Sequence, residues 1–184
     1  FRGDEHTHLR LFFEDGGPEV IFRDVRKFGK VRLLDAGKSD PRLDRLGPDA
    51  LSVDAPLLFR ASRGRKVSVK ALLLDQSVLA GVGNIYADES LFRAGVRPGR
   101  GASRLTRGEC EKIATALRQV LQRSIETGGS SISDYVSPDG SDGGYQDERM
   151  VYARSGEECL ACKTPIRRRV IAQRGTHYCP SCQR

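Results

Sequence analysis

The spacing of apolar residues changes near residue 67, from short alternating runs to a helical period. Residues 8–13 alternate imperfectly between polar and apolar positions, residues 14–17 form an acidic and glycine-rich turn, and the strand pattern resumes at 20–23, which predicts a β-hairpin. A third strand is expected over residues 30–34. Residues 35–56 contain scattered Gly, Pro and Asp, and they are interpreted as a connection with one helical turn at 41–46.

Two short helices are expected after residue 67. Val69, Leu72, Leu73 and Leu79 suit a helix that stops at 80–83. A second helix would use Asn84 as its N-cap and end near residue 95, with a proline shortly beyond. Two short helices joined by a glycine turn form a unit of the helix–turn–helix type.

A third, longer helix has the strongest local signals. Thr106 and Glu109 have the spacing of a capping box, and Gly128 is placed to end the helix. Cys110 falls on its apolar face, and it is therefore interpreted as a buried free thiol. The other members of that face follow a helical period: Ile113, Ala114, Leu117, Val120, Leu121 and Ile125.

Four cysteines near the end of the chain form two CxxC pairs separated by sixteen residues: Cys159, Cys162, Cys179 and Cys182. This spacing suits one tetrahedral zinc ion held by two turns across a short β-hairpin. The alternative is two disulfides, against which the paired spacing, an odd fifth cysteine and the lack of a visible secretory segment argue. We therefore expect one structural Zn²⁺.

The positive charge is concentrated near the C-terminus. Residues 1–60 are neutral, residues 61–150 carry +2 and residues 151–184 carry +5 of the total of +7. Clustered arginine and a pI near 9.4 favour a polyanionic partner such as nucleic acid, although a merely soluble basic protein would fit the charge equally well. No apolar run approaches membrane-spanning length, so a cytosolic protein without a membrane partner is expected.

Two loops have residues suited to DNA. Arg26, Lys27 and Phe28 lie at a strand end, where an aromatic wedge between two cations could enter a base stack; the alternative is a basic hairpin with Phe28 in the core. The turn at 81–84 would direct backbone N–H groups and the Asn84 side chain at one phosphate, or simply connect two helices.

Taken together, these segments resemble the formamidopyrimidine-DNA glycosylase family. The resemblance rests on 26–29, on the block 75–92 that contains Gly83-Asn84-Ile85-Tyr86, and on the four-cysteine segment with Gln173-Arg174-Gly175-Thr176. It implies an α+β fold in three parts: the C-terminal part of a β-sandwich catalytic domain at 1–58, a helix–two-turn–helix domain at 59–148 and a β-hairpin zinc ribbon at 149–184.

The resemblance implies a bacterial, cytoplasmic and monomeric enzyme of base excision repair that associates with the nucleoid when bound to DNA. Such enzymes excise oxidised purines from duplex DNA and then cleave the abasic strand as lyases. The family's Pro–Glu pair, its β-hairpin lysine and its methionine wedge have no counterpart here, so this chain is expected to bind DNA without catalysis.

The resemblance also implies roles for individual residues. Arg26 would pair with the orphaned cytosine, Phe28 would wedge the stack, and Arg174 would clamp phosphates and donate the proton in δ-elimination. The implied DNA contacts are His6, Arg26, Lys27, Phe28, Arg65, Lys70, Asn84 and Arg174.

Two alternatives remain open at this point. One is an endonuclease VIII-like glycosylase for oxidised pyrimidines, against which the segment 128–146 argues, since it resembles the loop that closes over 8-oxoguanine. The other is a non-catalytic, zinc-dependent DNA-binding module.

Overall fold

The structure is a computed structural model that describes residues 3–130 and 143–184. It has two separate β-hairpins with four α-helices between them, which confirms the α+β class. The strands are β1 (Thr7–Leu11), β2 (Val20–Arg23), β3 (Arg167–Ile171) and β4 (Arg174–Tyr178). The helices are α1 (Ala55–Ser62), α2 (Val69–Leu74), α3 (Asn84–Arg93) and α4 (Arg107–Glu126).

The first hairpin pairs β1 with β2 in antiparallel register, as the alternating pattern predicts. It leaves large apolar side chains in solvent, among them Phe12, which is 74% exposed. The third strand expected at 30–34 is wrong: those residues form no strand in the described part of the chain. Alternation alone did not reveal this, because a strand also needs a partner to satisfy its backbone.

The helices share one apolar core, and it includes a helix that the sequence analysis missed. Asp54 caps α1 by accepting the Leu57 N–H, and Pro56 lies in the first turn. Both are ordinary helix-start signals, although they stand inside a segment interpreted as a connection. Because α1 packs on α4, the expected boundary between residues 58 and 59 falls inside a helix that belongs to the helical core.

The helix expected to run to residue 80 ends instead at Leu74. The Asp75 carboxylate accepts hydrogen bonds from the Ser77 backbone N–H at 3.0 Å and from the Ser77 hydroxyl at 2.6 Å. Such a local turn competes with continued helix. Leu79 still reaches the core, but from the following turn, which explains why its spacing resembled that of a helical residue.

The long helix α4 agrees with its sequence signals. Thr106 and Glu109 form the reciprocal capping box, and Cys110 is a fully buried free thiol. A bidentate ion pair with Arg100, together with the cap, lowers the pKa of Glu109 to about 2. The carboxylate therefore stays ionised and holds the helix start to the preceding loop.

The second hairpin and the cysteine turns have a small core of their own. It consists of Val151, Cys159, Ile166 and Cys179, and it is completed by Phe92 from α3. The helix α3 thus contributes to both cores, and we call residues 149–184 the ribbon and the α1–α4 region the helical unit.

None of the helices in the described ranges is long and apolar enough to cross a membrane.

The capping box makes a testable contribution to stability. Thr106→Ala removes the acceptor for the Glu109 N–H, and we expect the free energy of unfolding to fall by about 1 kcal/mol in urea melts. The matched control is Gly108→Ala in the same turn, where an added Cβ meets no atom within 4 Å. It should stabilise the helix by about 0.5 kcal/mol. Equal stability of wild type and Thr106→Ala would contradict the cap.

Candidate nucleic-acid interface and zinc centre

The four cysteines converge on one point in the ribbon. All four sulfur atoms lie within 4.8 Å of one another, with Cys162 Sγ 3.4 Å from Cys179 Sγ and Cys159 Sγ 3.9 Å from Cys182 Sγ. A tetrahedron with Zn–S bonds of about 2.3 Å has edges of about 3.8 Å, so the donor set fits zinc. Four thiolates leave no coordination position for water, which indicates a structural ion and not a hydrolytic one.

A tight turn in the ribbon presents Arg174. The strands β3 and β4 are joined by Ala172 and Gln173, whose φ angles are +49° and +59°. Two consecutive positive φ angles are typical of the two-residue turns that match the twist of a hairpin. Arg174 follows directly and is exposed, and no carboxylate in the described ranges lies within ion-pair distance of it. Its guanidinium is thus available to an anion.

Two side chains of the helical unit fix the residue after Arg174. The carbonyl oxygen of Gly175 accepts hydrogen bonds from Lys70 Nζ at 3.1 Å and from Asn84 Nδ2 at 3.0 Å. One comes from α2 and the other from the first residue of α3. The backbone beside Arg174 therefore has a defined position relative to the start of α3.

Lys70 does not occupy the position expected of a phosphate contact. Its side chain is 0% exposed, and its ammonium lies 2.7 Å from the equally buried Asp88 carboxylate. Lys70 Nζ also donates to the Thr176 hydroxyl at 2.9 Å. Burial lowers the pKa of Lys70, and the Asp88 carboxylate opposes this shift by favouring the charged form. The lysine joins the ribbon to the helical unit. Its positive charge is therefore explained by its pairing with Asp88, and a direct phosphate contact is not needed to explain it.

Asn84 is half-buried and stands at the start of α3, although the N-cap itself is Gly83 and not Asn84 as expected. The first intrahelical bond is donated by the Ala87 N–H, so the N–H groups of the first turn of α3, at residues 84–86, have no acceptor within the helix. Asn84 Nδ2 also lies 3.4 Å from the Tyr152 hydroxyl, and its Oδ1 has no protein partner. This corner combines an unpaired polar atom with the positive end of a helix.

Two adjacent carboxylates of α3 bind the ribbon backbone, and the sequence analysis missed both. Asp88 accepts the His177 N–H at 2.8 Å. Glu89, fully buried, accepts the N–H groups of Met150, Val151 and Tyr152 at 2.8–2.9 Å. One signal was available: Asp88 is four residues after Asn84 and therefore on the same face of the helix.

The Arg26 loop is built around Asp24. One carboxylate oxygen accepts the N–H groups of Arg26 at 3.0 Å and Lys27 at 2.9 Å, and the other accepts that of Gly29 at 2.5 Å. The Gly29 bond is the main cause that holds the pKa of Asp24 below its usual value. A Cβ at Gly29 would lie 2.6 Å from the Phe22 ring, so only glycine fits there.

The same loop presents its functional candidates to solvent. Phe28 is 74% exposed and belongs to neither of the two apolar cores of the described residues. The Arg26 guanidinium lies 4.9 Å from the centre of the Phe28 ring, within cation–π range. Lys27 takes a positive φ of +56° and is also exposed.

The remaining predicted contacts lie on loops. Arg65 is exposed between α1 and α2, where it pairs with Asp75 at 2.8 Å. His6 is half-buried before β1, 3.6 Å from Glu5. Most of the expected lesion-recognition loop at 128–146 lies outside the described residues.

Two parts of the chain match models of known protein families. Residues 46–136 match the model of the formamidopyrimidine-DNA glycosylase H2TH domain, and residues 156–184 match the zinc finger found in FPG and IleRS. The matches agree with the helical unit and the ribbon described above. With the four-cysteine cluster, they show that the ribbon binds one structural zinc ion.

Individual relatives give the family. The chain is 44% identical to formamidopyrimidine-DNA glycosylase from Thioalkalivibrio sulfidiphilus over 98% of its own length and 67% of that protein. It superimposes on the crystal structure of the MutM (Fpg) protein from Thermus thermophilus with a TM-score of 0.87 and 46% identity, covering 99% of this chain and 70% of that one.

A third match is a complex of the Lactococcus lactis FPG (MutM) with a Fapy-dG containing DNA. Its TM-score is 0.86 at 34% identity, and it covers all of this chain and 68% of that one. The chain therefore belongs to the formamidopyrimidine-DNA glycosylase family, and it spans about two thirds of the length of these relatives.

The buried Lys70–Asp88 pair makes a testable contribution to stability. Lys70→Ala leaves the Asp88 carboxylate buried without its cation, and we expect a loss of about 3–5 kcal/mol in the free energy of unfolding of the zinc-loaded chain. The control Lys66→Ala removes an exposed lysine from the nearby loop and should change stability by less than about 0.5 kcal/mol. Similar stability of the two variants would show that the ammonium is not held as described.

Proposed function

We propose that this chain binds damaged duplex DNA as part of a glycosylase and AP lyase for oxidised purines. The observation that carries the proposal is the exposed Arg174 in a chain of this family, directly before Gly175, whose carbonyl oxygen is bound by Lys70 and by Asn84 at the start of α3. The guanidinium has no protein counter-ion in the described ranges, and the adjacent helix start also favours an anion. Both features suit the phosphates that flank a lesion.

The other candidate contacts support the same partner by their exposure. In the Arg26 loop, a planar guanidinium lies over an exposed aromatic ring, which suits a wedge that enters a base stack and a donor for the base left unpaired. Arg65 and His6 would meet the phosphate backbone. We place Lys70 behind this surface, since it orients the ribbon and does not reach DNA.

For the substrate, we favour oxidised purines. The relatives named above are formamidopyrimidine-DNA glycosylases, and one solved relative holds a Fapy-dG containing DNA. No comparable observation on the described residues favours oxidised pyrimidines.

For the architecture, we propose three units with the first boundary moved in front of α1. Residues before about 46 would belong to the catalytic domain, the helical unit would follow, and the ribbon would begin near residue 149. The move is supported by the packing of α1 on α4 and by the family match that begins at residue 46.

The binding surface can be tested by gel shift with a duplex that carries an abasic-site analogue. We expect salt-sensitive binding by the zinc-loaded chain, and about a tenfold loss of affinity for Arg174→Ala. Arg167→Ala is the matched control, since it removes another exposed arginine from the same hairpin. It should cost less than about threefold. Equal losses of affinity for the two variants would show that Arg174 contributes only its positive charge. Unchanged affinity of Arg174→Ala would show that Arg174 does not contact DNA.

Borohydride trapping on a duplex with 8-oxoguanine opposite cytosine tests the chemistry of these 184 residues separately. The nucleophile that the family resemblance implies is a terminal proline amine, and each of the eight prolines here is an internal residue without a free amine. We therefore expect DNA binding without a covalent adduct. A trapped adduct would show that another amine of these 184 residues attacks the sugar.

A further inference from the structure

A buried glutamine lies between the zinc centre and the helical unit. Gln183 is 0% exposed, directly after the last cysteine. Its Oε1 accepts the Cys179 backbone N–H at 2.9 Å, and its Nε2 donates to the Val96 carbonyl oxygen at 2.9 Å. The Cys179 N–H can only donate and the Val96 carbonyl oxygen can only accept, so the orientation of the Gln183 amide is unambiguous.

The neighbouring backbone continues the same connection. The Arg184 N–H donates to the Gly95 carbonyl oxygen, and the Arg97 N–H donates to the Arg184 carbonyl oxygen, both at 3.0 Å. Gly95 has a φ of +72°, and a Cβ there would lie 3.5 Å from the Cys182 carbonyl oxygen. The turn at 179–182 is thus in close contact with the segment after α3.

We propose that Gln183 is a positioning residue that couples zinc binding to the packing of the ribbon on the helical unit. It binds no metal itself. With zinc in place, the turn at 179–182 is closed and holds Gln183 against Val96. When zinc leaves, only hydrogen bonds such as that from the Arg184 N–H to the Gly95 carbonyl oxygen hold this turn, and we expect the bonds of the Gln183 side chain to be lost.

The coupling predicts a difference between two states of the same protein. Gln183→Met keeps the length of the side chain but leaves the Cys179 N–H and the Val96 carbonyl oxygen without partners. We expect zinc to pass to a chromogenic chelator about ten times faster than from wild type. We also expect the gap in Tm between zinc-loaded and chelated protein to shrink by about 4 °C, followed by circular dichroism of the helices.

The gap in Tm distinguishes coupling from simple destabilisation. If Gln183 only filled space, the substitution would lower the Tm of both states equally and leave the gap unchanged. Coupling lowers the Tm of the zinc-loaded state alone, because the bonds of Gln183 form only there. The control Gln122→Met, at an exposed position on α4, should change neither the release rate nor the gap.

A second variant keeps the test decisive if Gln183→Met does not fold. Gln183→Glu retains the acceptor for Cys179 but has no donor for Val96, and it should also release zinc faster than wild type. A release rate and a Tm gap equal to those of wild type in whichever variant folds would overturn the inference. The ribbon would then be coupled to the helical unit through the contacts of α2 and α3, without a contribution from Gln183.

Discussion

The docking of the ribbon depends on one buried polar contact, in which Lys70 and Asp88 meet with no access to solvent. Such a pair adds little stability by itself, because the desolvation of two charges offsets most of their attraction. Its effect here is geometric. The lysine also binds Gly175 and Thr176, and the aspartate binds the His177 N–H, so both charges are satisfied only when β4 lies in one position.

Polar docking of this kind suits a unit that has few apolar residues to bury. The ribbon core is small and includes two of the zinc ligands, and its largest apolar contribution, Phe92, comes from α3. Zinc closes the turns internally, while the carboxylates of α3 bind the ribbon through backbone N–H groups. Because these partners are main-chain atoms, the ribbon can carry arginines on its surface without weakening its attachment.

The sequence predicted the features that depend on local signals. The capping box of α4, the buried Cys110, the cysteine cluster and the hairpin that carries Arg174 all follow from residue type and spacing. It did not predict what depends on distant partners. Lys70 resembled a surface cation because the sequence gives the charge of a side chain but not its burial. Asp88, Glu89 and Gln183 gave only weak signals, since a helical or terminal polar residue is usually solvated.

Two segments of the chain are organised in the same way, by a carboxylate that accepts three backbone N–H groups. Asp24 shapes the Arg26 loop in this way, and Glu89 holds the segment at 150–152. The environments differ, since Glu89 is fully buried and Asp24 is not. Water and salt weaken the hydrogen bonds of a buried carboxylate less than those of a carboxylate at the surface. The ribbon attachment should therefore be the more rigid of the two segments, and the Arg26 loop the one that adjusts to DNA.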